Sequence, residues 1–297
     1  MRWQGRRKSK NVNDRRGEGG GMRMGAGNSG MLLFLAKFIF SKFGILGILV
    51  AGGGYFVMAK SGVDPLGLFP GGATQVSKED RGDICEDEPE VCYVLASTEE
   101  IWQKEFAKRG ATYPEPKLNI FSGGVGTKGC GYANSAVGPF YCPGDRQIYL
   151  DTAFFAELQN KLGAKGDAAV AYVIAHEVGH QIQTVSGTAA QIESAKRGRS
   201  KPDKNALQVR MELQADCYAG VWGHYTQREG IMQPGDLEEA LGAANAIGDD
   251  TLQRNAGRRP MPDSFTHGTS EQRMRWFANG FQSGNMDSCD TLSAAQL

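Results

Sequence analysis

The chain has 297 residues, 40% of them hydrophobic, which is enough for one sizeable core with residues left over for tails. The formal net charge at pH 7 is zero, so the overall charge does not favour nucleic acid or an acidic partner. The charge is unevenly placed, because residues 1–30 are strongly basic and also rich in glycine. This stretch has almost no apolar periodicity, so we predict a disordered, basic, cytoplasmic tail over residues 1–37.

An apolar stretch follows at residues 38–59 and is long enough to cross a bilayer as a helix, with Lys42 reaching the interface. We therefore predict a single-pass anchor in the inner membrane, and because the basic residues precede it, the positive-inside rule sets its orientation. The N-terminus would be cytoplasmic and residues 60–297 periplasmic. A buried soluble helix, a cleavable signal peptide and a nucleic-acid role for the basic tail are the alternatives.

All six cysteines follow the apolar stretch, and an even number in an exported segment is typical of disulfides. Six cysteines allow 15 pairings. No C-x-x-C pair occurs, so a cysteine zinc site is not expected. Short loops favour two pairs and leave a third: Cys85–Cys92, Cys130–Cys142 and Cys217–Cys289.

Residues 60–80 contain prolines and glycines and are predicted to be a linker to a domain at residues 81–297. Few strands and several later helices indicate an α+β fold. The periodicity predicts, in chain order, a helix at 88–110, a strand at 117–121, a stapled loop at 122–144, a strand at 146–151, a helix at 167–185, a connection at 186–204 and helices at 205–229, 236–249 and 270–280.

The segment His176-Glu177-Val178-Gly179-His180 lies in the helix predicted at 167–185. Residues four apart on a helix share a face, so His176 and His180 can bind one metal ion. Glu177 would reach water next to that ion. The histidines point away from the apolar stripe of the helix and therefore toward a cleft. Two solvated surface histidines are the alternative.

A third ligand is available in the next helix, where Glu212 and Asp216 are again four residues apart. Two histidines and one glutamate are an established ligand set for catalytic zinc, which keeps a fourth position open. Asp216 would accept a hydrogen bond from a metal-binding histidine. A solvated helix face is the alternative, but the apolar neighbours of this pair favour burial, and buried carboxylates need a partner.

Two residues near the last helix complete the predicted site. His267 lies in the loop before that helix and would stabilise the oxyanion of a tetrahedral intermediate. Arg273 would pair with a carboxylate near the metal. A surface or capping role is the alternative for His267.

The pairing of His-Glu-Val-Gly-His with a later Glu-x-x-x-Asp resembles the thermolysin-type zincins, although the spacer here is longer. The tail, the apolar stretch, the Gly-Cys-Gly-Tyr loop and the two metal motifs together resemble the YpfJ-like neutral zinc metallopeptidases of bacteria over nearly the whole length. This resemblance implies a zincin-like domain with a small sheet and helices, Zn²⁺ as cofactor and peptide or protein as substrate.

The sequence therefore predicts a membrane-anchored zinc endopeptidase that cleaves peptide bonds in the cell envelope. Glu177 would be the general base, and the strand at 146–151 would be the sheet edge that pairs with substrate. Two alternatives stay open: a catalytically silent zinc-binding scaffold, and a hydrolase of another amide such as one in peptidoglycan. The sequence does not indicate the oligomeric state.

Overall fold

The structure, a computed structural model, describes residues 1–18, 82–160 and 166–297. Met1–Arg16 and Lys78–Leu297 belong to one unit. Within it, a four-stranded sheet has the order β1-β2-β6-β5, in which the first three strands are parallel and β5 is antiparallel to β6. A separate hairpin is formed by β3 and β4. The described strands are β1 Val12–Asp14, β2 Lys117–Phe121, β3 Gly124–Gly126, β4 Tyr132–Asn134, β5 Phe140–Cys142 and β6 Gln147–Asp151.

Helices make up most of the described chain, and α4, which carries His176 and His180, lies at their centre. It packs against α2, α6 and α7, so nearly all its side chains are buried. The described helices are α1 Ile84–Asp87, α2 Pro89–Ala107, α3 Ala153–Asn160, α4 Asp167–Val185, α5 Thr188–Lys196, α6 Lys201–Arg228, α7 Asp236–Ala246, α8 Asp249–Asn255 and α9 Ser270–Ser283.

The α+β fold and the long elements agree with the sequence prediction, whereas the short helices were missed. Helix α5 lies in the predicted connection at 186–204 and buries only Ile192, so it has no apolar stripe to detect. The hairpin β3–β4 and strand β5 lie in the predicted loop at 122–144. All three expected disulfides are confirmed: Cys85–Cys92, Cys130–Cys142 and Cys217–Cys289.

The predicted disorder of the N-terminal tail is wrong for its first residues. Strand β1 pairs in register with β2, and Trp3 stacks on Tyr93 with 5.9 Å between ring centroids. Arg7 donates to the buried carboxylate of Glu99 at 2.8 Å, and Ser9 donates to the same group at 2.5 Å. Disorder was predicted because the stretch has almost no apolar periodicity, but the groups that order it, Glu99 and strand β2, lie far along the chain and are not visible locally.

The predicted transmembrane helix must also be corrected. Residues 38–59, like the predicted linker at 60–80, lie outside the described residues, and none of the helices that the structure describes is long and apolar enough to cross a membrane. The predicted single-pass topology would place β1 and β2 on opposite sides of a bilayer, yet these strands are hydrogen-bonded neighbours in one sheet. The single-pass localisation is therefore wrong, and the fold class that the described residues support is α+β, with a small sheet and helices.

Candidate metal centre

Three metal-binding side chains converge where α4 crosses α6. The Nε2 atoms of His176 and His180 lie 3.2 Å and 3.4 Å from Oε2 of Glu212. One ligand atom from each residue lies within 4.8 Å of the other two, so a single ion can contact all three. Gln208 donates from Nε2 to Oε1 of Glu212 at 2.6 Å. This hydrogen bond leaves Oε2 directed at the histidines.

Gly179 allows the two helices to come this close. A Cβ atom at Gly179 would lie 2.9 Å from Cα and 3.1 Å from the backbone oxygen of Ala215 on α6. Since real Cβ atoms do not approach so closely, any larger residue would push α4 and α6 apart. The glycine inside the His-Glu-Val-Gly-His segment is therefore what lets Glu212 reach the histidines of the neighbouring helix.

His176 is held in place by Asp216, as the sequence predicted. Its Nδ1 lies 2.8 Å from Oδ1 of Asp216, which is fully buried. Tyr172, one turn before His176 on α4, donates its hydroxyl to the same oxygen at 2.5 Å. With Nδ1–H donating to Asp216, Nε2 is the ring nitrogen that faces Glu212 and is left for a metal ion.

Arg273 from α9 completes this buried cluster. Its Nε and Nη2 donate to the two carboxylate oxygens of Asp216, each at 2.9 Å, and Nη2 also donates to the hydroxyl of Tyr172 at 3.1 Å. Burial alone would raise the pKa of Asp216, but Arg273 and His176 hold it well below its ordinary value. Asp216 therefore stays ionised beside His176.

The donor set fits zinc. His180 has its Nδ1 2.9 Å from Oε1 of Gln183, so its Nε2 also faces Glu212. Two imidazole nitrogens and a carboxylate oxygen then converge, an arrangement that positive charge stabilises, whether a metal ion or protons on the imidazoles supply it. The pKa values agree: burial alone would lower the pKa of His176, yet the carboxylates raise it to about 9. Burial would raise the pKa of Glu212, yet the histidines hold it well below its ordinary value.

Glu177 lies next to these ligands in a cleft of about 1440 Å³. Its side chain is buried, and no described residue donates a hydrogen bond to its carboxylate. The cleft is also lined by Val137 and Leu252, two large apolar side chains that remain 56% and 38% exposed. A carboxylate thus faces open space beside the metal-binding atoms.

His267 also lines the cleft, from the loop before α9, and its side chain is half exposed. Its Nδ1 lies 3.3 Å from Oδ1 of Asp249. The other oxygen of Asp249 accepts from the backbone N–H groups of Thr266, His267 and Gly268 at 2.6, 2.7 and 3.2 Å. Asp249 therefore shapes this loop and holds the imidazole at the cleft.

The strand predicted to be the substrate edge is not an edge. Strand β6 has β2 on one side and β5 on the other. The strand that ends the sheet next to the cleft is β5, whose Phe140 and Tyr141 line the cleft. Sequence periodicity could not decide this, because edge and inner strands differ only in their neighbours.

Comparison with known proteins now identifies the family. The model of the family described as "Putative neutral zinc metallopeptidase" matches residues 1–292. The chain belongs to this family. A member from Escherichia coli strain K12, "Uncharacterized protein YpfJ", is 45% identical over 303 aligned positions, which cover 98% of this chain and 99% of the relative.

More distant relatives of this family occur in mycobacteria. "Uncharacterized protein Rv2575" of Mycobacterium tuberculosis strain H37Rv is 43% identical over 196 positions, covering 62% of this chain and 65% of the relative. "Uncharacterized protein Mb2605" of Mycobacterium bovis matches to the same extent. No solved structure matches the chain. The family description supports zinc as the metal of the centre.

The structure brings together His176, Glu177, His180, Glu212, Asp216 and Arg273, and it places His267 at the rim of the same cleft. Sequence reasoning missed several residues that orient them. Tyr172 carried a detectable signal, because it stands four residues before His176 on the same helix face. Gln183, Gln208 and Asp249 carried none, since polar residues at such positions are usually solvated.

Proposed function

We propose that the chain is a zinc-dependent peptidase. The observation that carries this proposal is the convergence of His176, His180 and Glu212 on one point beside Glu177 in an open cleft. Three protein ligands and an accessible cleft are typical of catalytic zinc, whereas structural zinc is usually enclosed by four ligands. A silent scaffold would have no use for an unpaired carboxylate at this position.

When bound, zinc would polarise the scissile carbonyl and make a water molecule more acidic. Glu177 then takes the proton of the attacking water and delivers it to the leaving amine. His267, held by Asp249, donates a hydrogen bond to the oxygen that becomes negative in the tetrahedral intermediate. Asp216 and Arg273 keep His176 oriented.

The cleft suggests how a peptide would lie. Strand β5 ends the described sheet beside the cleft, so an extended substrate can add to it by backbone hydrogen bonds. The exposed Val137 and Leu252 would contact an apolar substrate side chain. The three disulfides are typical of an oxidising compartment, so we expect exported proteins of the cell envelope among the substrates.

The test compares the full chain with Glu177→Gln and with Glu238→Gln, an exposed acid on α7 that serves as control. Bound zinc and hydrolysis of casein and of peptidoglycan are measured for each. We expect stoichiometric zinc in all three proteins and casein cleavage in all except Glu177→Gln, with cleavage abolished by a chelator.

Other outcomes favour the alternatives. Zinc without hydrolysis of either polymer in the wild type would favour a scaffold, and cleavage of peptidoglycan alone would favour another amidase. Full activity in Glu177→Gln would contradict the role of the base. A wild-type protein that binds no zinc would refute the proposal.

A further inference from the structure

Two buried glutamines lie on the Nδ1 side of His180, away from the metal-binding atoms. Gln183 follows His180 by one turn on α4 and is fully buried, and Gln214 on α6 is 6% exposed. Oε1 of Gln183 lies 2.9 Å from Nδ1 of His180. Nε2 of Gln183 donates to the backbone oxygen of Met211 at 2.6 Å and to Oε1 of Gln214 at 3.1 Å. Nε2 of Gln214 donates to the backbone oxygen of Cys289 at 2.9 Å.

These contacts leave one consistent orientation for each amide. The backbone oxygens of Met211 and Cys289 can only accept, so each must face an amide nitrogen. Gln214 therefore presents its oxygen to Gln183, and both N–H groups of Gln183 are used by acceptors. What remains for His180 is the oxygen of Gln183, which can only accept. The hydrogen of a neutral His180 must consequently lie on Nδ1.

This chain of hydrogen bonds ends at a cysteine that forms a disulfide. Cys289 is fully buried and forms a disulfide with Cys217, which is the residue after Asp216 on α6. The last acceptor is thereby tied to the helix that supplies Glu212. The two histidines are thus held differently: a carboxylate, Asp216, accepts from His176, while a neutral amide accepts from His180.

We propose that Gln183, held by Gln214 and the Cys289 carbonyl, is a positioning residue that fixes His180 with its hydrogen on Nδ1 and its Nε2 open to zinc. This inference rests on the proposed zinc site and concerns how tightly that site binds. Without the acceptor, His180 would lose the preference for this tautomer and ring orientation. Partners of metal-binding histidines are worth about 10–100-fold in metal affinity.

The test measures the zinc dissociation constant of the full chain by competition with a chromophoric chelator, and the visible spectrum of its cobalt(II) form. Gln183→Met keeps the volume of the side chain but removes its acceptor. We expect zinc affinity to fall about 10–100-fold and the cobalt(II) bands to change. In Gln214→Met, Gln183 stays in place but its Nε2 has one acceptor fewer. Zinc affinity in this variant should therefore fall by a smaller but measurable factor.

Gln181→Met is the matched control. Gln181 is equally buried on α4, donates to the backbone oxygen of Pro114 at 2.6 Å and accepts from the Tyr141 hydroxyl at 2.7 Å, so its side-chain hydrogen bonds go to residues other than His180. Gln181→Met removes buried hydrogen bonds as Gln183→Met does, yet its zinc affinity should stay at the wild-type value. Equal zinc affinity in wild type and Gln183→Met would overturn the inference while leaving the zinc site intact.

Should Gln183→Met fail to fold, Gln214→Met decides, because an unchanged zinc affinity and cobalt(II) spectrum in that variant would equally overturn the inference. If the wild type itself bound no zinc, the proposed function would fail first, and the inference with it. The two failures are therefore distinguished by the wild-type measurement alone.

Discussion

Replacing Arg273 by methionine should strongly destabilise the metal-free protein at neutral pH. Asp216 is fully buried, and Arg273 supplies two of its hydrogen bonds as well as a permanent positive charge. Removing one member of a buried ion pair costs about 3–5 kcal/mol, because the remaining charge has no water to replace its partner. Tyr172 and His176 still donate to Asp216, so we expect the loss to lie within that range rather than above it.

The loss of unfolding free energy in Arg273→Met should also depend on pH in a defined direction. Because Arg273 and His176 hold the folded-state pKa of Asp216 below its ordinary value of 3.8, this carboxyl contributes stability above pH 3.8 that disappears as the pH falls toward the folded-state pKa. In Arg273→Met the folded-state pKa of Asp216 rises and this contribution is lost. The difference in unfolding free energy between wild type and Arg273→Met should therefore become smaller as the pH falls below 3.8.

The assay is urea-induced unfolding of the full chain with disulfides intact and a chelator present, at pH 7 and at pH 3. Arg275→Met is the control, because Arg275 lies on the same helix but forms only an exposed pair with Glu271. That variant should change the free energy of unfolding by less than about 0.5 kcal/mol. If Arg273→Met lost less than about 1 kcal/mol of unfolding free energy, or lost the same amount at both pH values, the stabilising role of the Arg273–Asp216 pair would be refuted.

Two further perturbations test how α4 and α6 are joined. Gly179→Ala should cost about 1–3 kcal/mol of unfolding free energy and weaken zinc binding, since its Cβ would press on Ala215. Gly242→Ala on α7 should be neutral or stabilising, because no atom of the described residues would lie within 4 Å of the added Cβ. Equal effects of the two substitutions on the free energy of unfolding would contradict the close approach of α4 and α6 as the reason for Gly179. Replacing Cys289 by alanine opens a loop with a sequence separation of 72 and should cost about 4 kcal/mol in a chain-entropy model. The same variant should show weaker zinc binding than wild type, and undiminished stability in urea would contradict the model.

Much of the site followed from helical geometry. His176 and His180, and then Glu212 and Asp216, are four residues apart, and this spacing brings side chains together on any helix, whatever surrounds it. The disulfides were predictable for a related reason, because short loops favour two pairs and leave the third. The family pattern linked the two helices before any contact between them was visible.

The N-terminal segment shows where composition misleads. Residues 1–18 are basic and have almost no apolar periodicity, which locally indicates disorder, but their partners are Glu99 and strand β2, far along the chain. Hydrogen bonding between distant segments leaves no periodic trace in either one. The topology predicted for the apolar stretch failed for the same reason, because it was derived without knowing that β1 joins β2.

By itself, the sequence determined the α+β class, the helices that carry His176, His180 and Glu212, and the hypothesis that these side chains bind one metal ion, because each rests on a local property with a fixed spacing. The tertiary structure decided which residues orient them: Tyr172, Arg273 and Gln183 act through contacts between α4, α6 and α9. It also explains the glycine at position 179, because a Cβ atom there would lie within 3 Å of the backbone of α6. Such contacts depend on how whole elements pack, and no short window of sequence contains them.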